Sequence, residues 1–256
     1  MRSLAGGITG TVVALDLADL KGSRQRLVLK LYQPDPSELD SAWREAHILQ
    51  LLTESDLPVP RVVAIDRDGA VSGWPALLMT HMPGRRRMRP RQPGPWLGEL
   101  KHLAERIHRL VVPHEALPRY RPWGLDDPLP VPSWWTNRAI WQRAVVIFHG
   151  PMPDEPQTFI HRDFHPGNVL WTGESPSTIV DWLHGSLGPA SVDFAHCRLN
   201  IQLDLGEGIA RRWPDVHPFW EIADALSWVP DPALHGIQRA RRYESFVSAA
   251  VARLAT

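Results

Sequence analysis

The chain has 256 residues, enough for one large domain or two lobes, and its 43% hydrophobic content is ordinary for a globular protein. Its 28 Lys and Arg balance its 28 Asp and Glu, so no net charge favours nucleic acid or an anionic membrane as a partner. No stretch approaches about 18 consecutive apolar residues, the N-terminus lacks a signal-peptide core, and the single Cys197 excludes a disulfide framework or a Cys-cluster metal site. We therefore expect a cytoplasmic protein with no membrane or nucleic-acid partner.

The first third of the chain has the pattern of strands with one helix. Alternating apolar residues predict the strands, and apolar residues at helical spacing after a polar N-cap at Ser37 predict the helix. The predicted order is strand, strand, helix, strand, strand. The predicted segments are residues 11–17, 25–32, 39–52, 61–66 and 76–82.

Beyond residue 83 the pattern becomes mainly helical. Apolar residues recur every three or four positions, and Ser133 is predicted to cap one of the helices. The predicted helices are residues 96–112, 133–148, 191–205, 216–229 and 235–254.

The residues with the clearest chemistry lie at 161–168, which read His-Arg-Asp-Phe-His-Pro-Gly-Asn, and at 179–182, which read Ile-Val-Asp-Trp. Asp163 is placed to accept a proton from a substrate hydroxyl. Asn168 and Asp181 offer the oxygen ligands that Mg²⁺ prefers, and a hairpin between them would bring them together. This constellation predicts phosphoryl transfer.

These segments resemble the aminoglycoside phosphotransferase/choline kinase family of the protein-kinase-like superfamily. The loop of that family reads H-x-D-x-H-P-x-N, and its metal-binding Asp lies in an Ile/Val-Asp-Trp context. The resemblance implies an α+β, two-lobed protein-kinase-like fold. Residues 1–82 would form a small antiparallel-sheet lobe with one helix that binds nucleotide, and residues 83–256 a mainly helical lobe with the catalytic loop and acceptor site. His161 and Asp193 would support the catalytic loop.

Lys30 and Glu45 form a second constellation. A lysine inside an apolar strand is costly to bury unless it is paired, and Glu45 falls on the apolar stripe of the next predicted helix. We expect the two to form an ion pair that points the ammonium at nucleotide phosphates, as in kinases. Two solvent-exposed charges are the alternative.

Two further segments are expected to contact the nucleotide. The Gly-rich residues 5–11 precede a strand, and backbone N–H groups near Gly7 and Gly10 would cradle phosphates. By resemblance, the connector from Met79 to Met82 would offer backbone groups to the base. Family members usually have more chain before the Gly-rich loop.

The helical region contains candidates for contacting the acceptor. Tryptophans in residues 123–141 would form the core or line an acceptor pocket. Carboxylates in the helical region, between residues 126 and 224, would contact a cationic acceptor. These carboxylates belong to Asp126, Asp127, Asp204, Glu207, Glu221 and Asp224.

The predicted reaction is Mg²⁺-dependent transfer of the γ-phosphate of ATP or GTP to a hydroxyl of a small molecule, such as an aminoglycoside-like compound, an amino alcohol or a sugar. A small molecule is favoured over protein because no Ala-Pro-Glu motif follows Asp181. One alternative is a nucleotide-binding pseudoenzyme or regulatory module without turnover, which the short N-terminus favours. Another is a metal-dependent hydrolase built on His161, Asp163 and His165.

Overall fold

The computed structural model describes residues 2–4, 10–18, 24–33 and 40–254, with residues 2–4 and 114 described by their backbone alone. The chain divides into two compact units, each made from segments that are distant in sequence. Residues 1–86 and 168–185 form the first unit, and residues 87–167 and 186–256 form the second. Strands dominate the first unit and helices the second, so the predicted α+β class is confirmed.

The first unit is built on a five-stranded antiparallel sheet. Its strand order is β1-β2-β3-β5-β4, and helix α1 packs against β3, β4 and β5. The bounds are Arg2–Leu4 for β1, Gly10–Ala18 for β2, Arg24–Tyr32 for β3, Ser41–Leu51 for α1, Val62–Asp66 for β4 and Ala76–Thr80 for β5.

Strand β3 buries residues that simple alternation assigns to different faces. Leu27 is buried as expected, but Lys30 and Tyr32 are also buried, with 4% and 1% of their surface exposed. At the C-terminal end of β3, the buried face therefore contains the charged side chain of Lys30. This placement makes a partner for Lys30 obligatory.

Helix α1 begins at Ser41, and the predicted cap at Ser37 lies outside the described residues. Asp40 precedes the helix with a left-handed φ of 65°, and its carboxylate accepts from Arg67 instead of capping the helix. The buried face repeats every three or four residues and includes Ala42, Glu45 and Leu49. Glu45 thus points into the unit along with apolar side chains.

A three-stranded sheet completes the first unit and contains the predicted hairpin. Strands β8 (Val169–Thr172) and β9 (Ser175–Ile179) pair antiparallel, and β6 (Arg85–Arg86) pairs with β8. Gly173 forms the tight turn between β8 and β9 with φ 61°. Because Val169 faces Ile179, the ends of this hairpin lie side by side.

The second unit is a helical assembly with one strand pair. Helices α3, α6 and α8 pack together, and α4 contacts α6 and α8. Among the described residues, no helix is long and apolar enough to cross a lipid bilayer. The bounds are Pro93–His108 (α2), Arg138–Phe148 (α3), Gln157–Ile160 (β7), Ser186–Pro189 (β10), Ala190–Leu205 (α4), Glu207–Ala210 (α5), Pro218–Leu226 (α6), Pro232–His235 (α7) and Ile237–Arg253 (α8).

Several helix ends differ from the sequence-based expectation for local reasons. Helix α3 begins after Asn137, whose side chain accepts from the Ile140 backbone N–H, and not at Ser133. The last predicted helix is divided at Gly236, which has a positive φ of 83°. Helix α2 ends at His108, four residues before the predicted end. A capping side chain therefore sets the start of α3, and a glycine separates α7 from α8.

Aromatic side chains fill the core of the second unit. Trp141, Trp220 and Tyr243 are almost completely buried, and Cys197 is buried among helices as expected for a small apolar residue. The Trp220 indole donates to Glu155 at 2.7 Å, and the Tyr243 hydroxyl donates to the backbone of α6. The Trp141 indole donates to the Leu129 carbonyl at 3.1 Å, so the polar group of each of these three aromatic side chains has a partner.

We expect Trp220→Ala to lower the free energy of unfolding by about 3–5 kcal/mol, because it leaves a cavity and an unpaired Glu155 oxygen. Urea titration followed by tryptophan fluorescence and circular dichroism measures this change. Trp228→Ala is the matched control, since Trp228 is 40% exposed and its removal leaves less unfilled space. Equal losses for the two variants would contradict the packing described here.

Candidate active site

Lys30 is held by two carboxylates inside the first unit. Its Nζ lies 2.6 Å from Glu45 Oε2 and 2.7 Å from Asp181 Oδ1. Glu45 also accepts from the Tyr32 hydroxyl at 2.7 Å and from the Trp182 backbone N–H at 3.2 Å. The predicted Lys30–Glu45 pair is present, and Asp181 joins it.

The charge balance around Lys30 favours its protonated form. Burial opposes the charge, but the nearby Glu45 and Asp181 carboxylates outweigh it and raise the pKa of Lys30. Burial and the Glu45 charge also raise the pKa of Tyr32, so its hydroxyl remains a donor. Lys30 is therefore a cation held between the carboxylates of Glu45 and Asp181.

Asn168 and Asp181 lie at adjacent ends of the β8–β9 hairpin. The Val180 backbone N–H donates to the Asn168 carbonyl at 2.9 Å, and Asp181 follows directly with a left-handed φ of 68°. Asp181 is 25% exposed at its side chain, while Asn168 is buried. An amide oxygen and a carboxylate on neighbouring backbone segments fit the donor set of Mg²⁺.

The other residues predicted to contact nucleotide are Gly7, Gly10, Met79 and Met82. Gly7 lies outside the described residues, whereas Gly10 begins β2 so close to β3 that an added Cβ would lie 2.0 Å from the Leu31 carbonyl oxygen. Met79 is buried within β5, and Met82 follows the strand. Close packing against β3 therefore explains why residue 10 is a glycine, whether or not it contacts a phosphate.

In the second unit, Asp193 anchors the segment that carries Asp163. Its carboxylate accepts from the backbone N–H groups of His161 at 2.9 Å and Arg162 at 2.7 Å. His108 Nε2 lies 2.9 Å from the same carboxylate. Asp193 is fully buried in the first turn of α4, where the helix dipole also favours a negative charge.

The loop itself is tightly constrained. His161 is completely buried, and its Nδ1 accepts from the Asp163 backbone N–H at 3.3 Å. Arg162 has a left-handed φ of 68°, and its guanidinium stacks over the Trp123 ring at 3.9 Å. Trp123 thus covers the loop. Trp135 and Trp141, two of the other tryptophans in residues 123–141, lie in the core.

Asp163 is flanked by two histidines. Its Oδ1 lies 3.0 Å from His196 Nε2 and 3.8 Å from His165 Nε2, and His196 Nδ1 lies 2.8 Å from Asp224. Burial opposes ionisation of Asp163, but the His196 hydrogen bond and the neighbouring histidine charges keep its pKa below the usual range. Asp163 is therefore a carboxylate at neutral pH.

Sequence reasoning missed His196. The available signal was its position three residues after Asp193, which places both on one side of α4. The structure also changes the proposed hydrolase ligands. Within the part of the chain that the structure describes, the side chains whose ligand atoms lie within 4.8 Å of one another are those of Asp163, His165 and His196, whereas His161 Nδ1 accepts from the loop backbone.

Most of the carboxylates suggested for a cationic acceptor already have partners in the protein. Arginines pair with four of them, and His196 pairs with Asp224. The pairs of Asp126 and Glu207 are exposed and therefore weak, whereas Glu221 and Asp224 are held by their partners in largely buried positions. The pairs are Asp126–Arg121, Asp204–Arg239, Glu207–Arg211, Glu221 with Arg198 and Arg253, and Asp224–His196.

Comparison with known families agrees with this arrangement. A family described as "Phosphotransferase enzyme family" matches residues 1–236. The chain belongs to this phosphotransferase family. A probable ketoamine kinase of Thermus thermophilus is 27% identical over 242 residues, covering 85% of this chain and 78% of the relative.

Solved structures of phosphotransferases share the fold. The aminoglycoside phosphotransferase APH(4)-Ia, in a ternary complex with ADP and hygromycin B, has a TM-score of 0.67 at 14% identity and covers 100% of this chain and 94% of its own. The amicoumacin kinase hAmiN has a TM-score of 0.59 at 13% identity, and the match covers 97% of this chain and 88% of the hAmiN chain. The predicted family, kinase-like fold and phosphotransferase class of enzyme are confirmed.

We expect Glu45→Gln to lower the free energy of unfolding by about 3 kcal/mol, because it removes one partner of a buried ion pair. Urea titration measures the loss. Asp16→Asn is the control, since the Asp16–Arg26 pair is exposed and its removal should leave the urea midpoint unchanged. Equal shifts for both variants would show that burial of the Lys30 pair has no energetic consequence.

We expect the Asp193 carboxylate to stabilise the fold fully above about pH 4 and less at lower pH. Burial opposes its charge, but the His108 hydrogen bond and the His161 contacts lower its pKa in the folded state. Its contribution is therefore complete above the unfolded value of about 3.9 and is lost as the pH falls through the folded value. Asp193→Asn should cost about 2 kcal/mol at neutral pH, and the difference should narrow near pH 3. Urea titrations at both pH values measure this, and a difference independent of pH would contradict it.

Proposed function

We propose that this family member transfers the γ-phosphate of ATP or GTP, together with Mg²⁺, to a hydroxyl group of a small molecule. The observation that carries the proposal is the buried Lys30, which contacts Glu45 and Asp181 at once. Such a cation, fixed beside a carboxylate that can hold a metal, suits the binding of nucleotide phosphates. Nucleotide complexes of structural relatives, with ADP or AMP-PNP, support the same donor class.

The residues of the first unit would bind the donor. Lys30 would contact the α- and β-phosphates, and Glu45 would keep its ammonium in place. Asn168 and Asp181 would hold Mg²⁺, which neutralises phosphate charge when bound. Backbone groups at Gly7 and Gly10, and at the connector from Met79 to Met82, would contact phosphates and base. We keep residues 1–82 as the proposed nucleotide-binding lobe and residues 83–256 as the proposed acceptor lobe.

Asp163 would orient the acceptor hydroxyl and receive its proton. Phosphoryl transfer passes through a loose transition state that needs positioning more than a strong base. The lowered pKa of Asp163, which results despite burial from the His196 hydrogen bond and histidine charges, suits this role. His161 and Asp193 would support the loop from behind.

The paired carboxylates bear on the acceptor class. A polycationic aminoglycoside needs several free carboxylates, whereas five of the six proposed for it already contact Arg or His side chains. This pairing supports an acceptor of low positive charge, such as a sugar derivative or an amino alcohol. The ketoamine kinase relative is consistent with that class. The composition supports a cytoplasmic location.

The first test is a thermal-shift titration with ATP and with GTP, each with and without Mg²⁺. A nucleotide at 100 times its dissociation constant should add about 2.7 kcal/mol of stability. Asp181→Asn should abolish the Mg²⁺-dependent part, because it removes a proposed ligand of the metal. Asp16→Asn, an exposed carboxylate in the same unit, is the matched control and should retain the full shift.

Turnover in a screen of hydroxyl acceptors then tests catalysis. We expect Asp163→Asn to abolish phosphate transfer while the nucleotide-induced thermal shift remains. A protein that binds Mg²⁺–nucleotide but phosphorylates no acceptor would support the pseudoenzyme alternative. Phosphoester hydrolysis without nucleotide would instead support the hydrolase.

A further inference from the structure

We propose that His196 is a positioning residue that fixes the orientation of the Asp163 carboxylate through a hydrogen-bonded chain ending at Asp224. The inference rests on the proposed function, because it assumes that Asp163 receives the acceptor hydroxyl. His196 lies on α4, Asp224 on α6 and Asp163 on the loop after β7, so three separate elements meet at one imidazole.

The distances assign a proton to each nitrogen of His196. Nε2 lies 3.0 Å from Asp163 Oδ1, and Nδ1 lies 2.8 Å from Asp224 Oδ1. An ionised carboxylate only accepts hydrogen bonds, so both imidazole nitrogens must donate. His196 is therefore an imidazolium between two carboxylates, a charge-assisted arrangement that is shorter and stronger than a neutral one.

The surroundings favour this charged form. Burial disfavours the imidazolium, but the Asp224 and Asp163 carboxylates outweigh it and raise the pKa of His196. Asn200 Nδ2 also lies 3.1 Å from Nε2, and it donates to the His196 carbonyl at 3.0 Å. The negative charge of Asp163 decides in favour of a proton on Nε2, directed to the carboxylate.

The remaining ionisable neighbours do not compete for this proton. Burial, with the Asp224 charge nearby, raises the pKa of Tyr120 and Tyr243, so both stay neutral. Burial likewise raises the pKa of the Cys197 thiol. His165 Nε2 lies 3.8 Å from the same oxygen, Asp163 Oδ1, which is too far for a hydrogen bond.

The same contacts favour a proton over a metal ion at this cluster. His165 Nδ1 accepts from the Gly167 backbone N–H at 3.1 Å, which places its own proton on Nε2, the nitrogen nearest Asp163. His196 Nε2 also carries a proton. Two of the three possible ligand atoms are therefore protonated, and a metal would have to displace both protons.

The consequence for catalysis is geometric. A hydrogen bond to Oδ1 fixes the plane of the Asp163 carboxylate and hence the direction of its second oxygen. Asp224 in turn fixes the ring of His196, which by itself could rotate. Small errors in the position of a reacting group cost about 100-fold in rate, so this chain should affect kcat more than nucleotide binding.

The first test needs neither nucleotide nor acceptor. Histidine labelled with ¹⁵N in the full-length protein reports the protonation of each ring nitrogen by NMR, and His196→Asn identifies the signal of His196. We expect an imidazolium that persists well above the ordinary pKa of about 6.5, and a downward shift of that pKa in Asp224→Asn and in Asp163→Asn. A neutral imidazole at pH 7, or zinc that co-purifies with wild type but not with His196→Asn, would overturn the proposal.

The second test uses Mg²⁺–ATP and an acceptor identified by turnover. We expect His196→Asn to lower kcat by about 100-fold with less than about a threefold change in the KM for ATP. Asp224→Asn should lower kcat less, because its side-chain oxygen can still accept from Nδ1. His149→Asn is the matched control, since His149 is exposed and its Nδ1 lies 2.8 Å from the Val145 carbonyl of the helix that it ends. An unchanged kcat in His196→Asn would overturn the proposal.

The two readouts separate the possible failures. If wild type shows no turnover with any acceptor, the proposed function fails, while the NMR titration still decides whether His196 bridges the two carboxylates. His108→Asn controls for general damage to the loop, because it removes another His–Asp contact without touching Asp163. It should lower stability but leave the titration of His196 unchanged. A His196 titration that moves equally in His108→Asn would contradict a specific role for the Asp224 chain.

Discussion

Burial of a lysine ammonium is the constraint on which the first unit depends. Lys30 is 4% exposed, and a charge removed from water destabilises a fold unless opposite charges and hydrogen bonds replace the solvent. Glu45 and Asp181 supply them from helix α1 and from the end of the β8–β9 hairpin. The cation thereby fixes three elements at one point. This arrangement would suit the proposed binding of phosphate, because the ammonium is held before any nucleotide arrives.

The second unit holds Asp163, the proposed catalytic carboxylate, by a different means. Asp193 accepts from the loop backbone at His161 and Arg162, so buried N–H groups are satisfied by a side chain where no strand or helix supplies a partner. Asp163 itself is then held at its side chain by His196. The two aspartates therefore act differently: Asp193 fixes the backbone, and Asp163 remains at the partly exposed surface of the loop.

The pairing of charges also limits what the helical unit can recognise. Carboxylates that the sequence offers as contacts for a cationic acceptor are held by arginines or by His196, and in the case of Glu221 the pair is buried. A polycation would compete with these arginines and with His196 for the same carboxylates. Membership of a phosphotransferase family therefore defines the reaction more closely than the acceptor, because a fold accommodates many substrates.

The sequence by itself determined the α+β class, most strands and helices, the phosphotransferase family and the Lys30–Glu45 pair, because spacing, periodicity and short motifs are local properties of the chain. Only the tertiary structure decided that Asp181 shares Lys30 and that Asp224 contacts His196. His196 and Asp224 are separated by 28 residues, and their contact depends on how α4 and α6 pack. Helix boundaries at Asn137 and Gly236 were likewise decided by capping and backbone geometry. Apart from the Lys30–Glu45 pair, which the resemblance to a known family helped to predict, the sequence pattern does not show which charges meet across elements, since that pairing follows from packing.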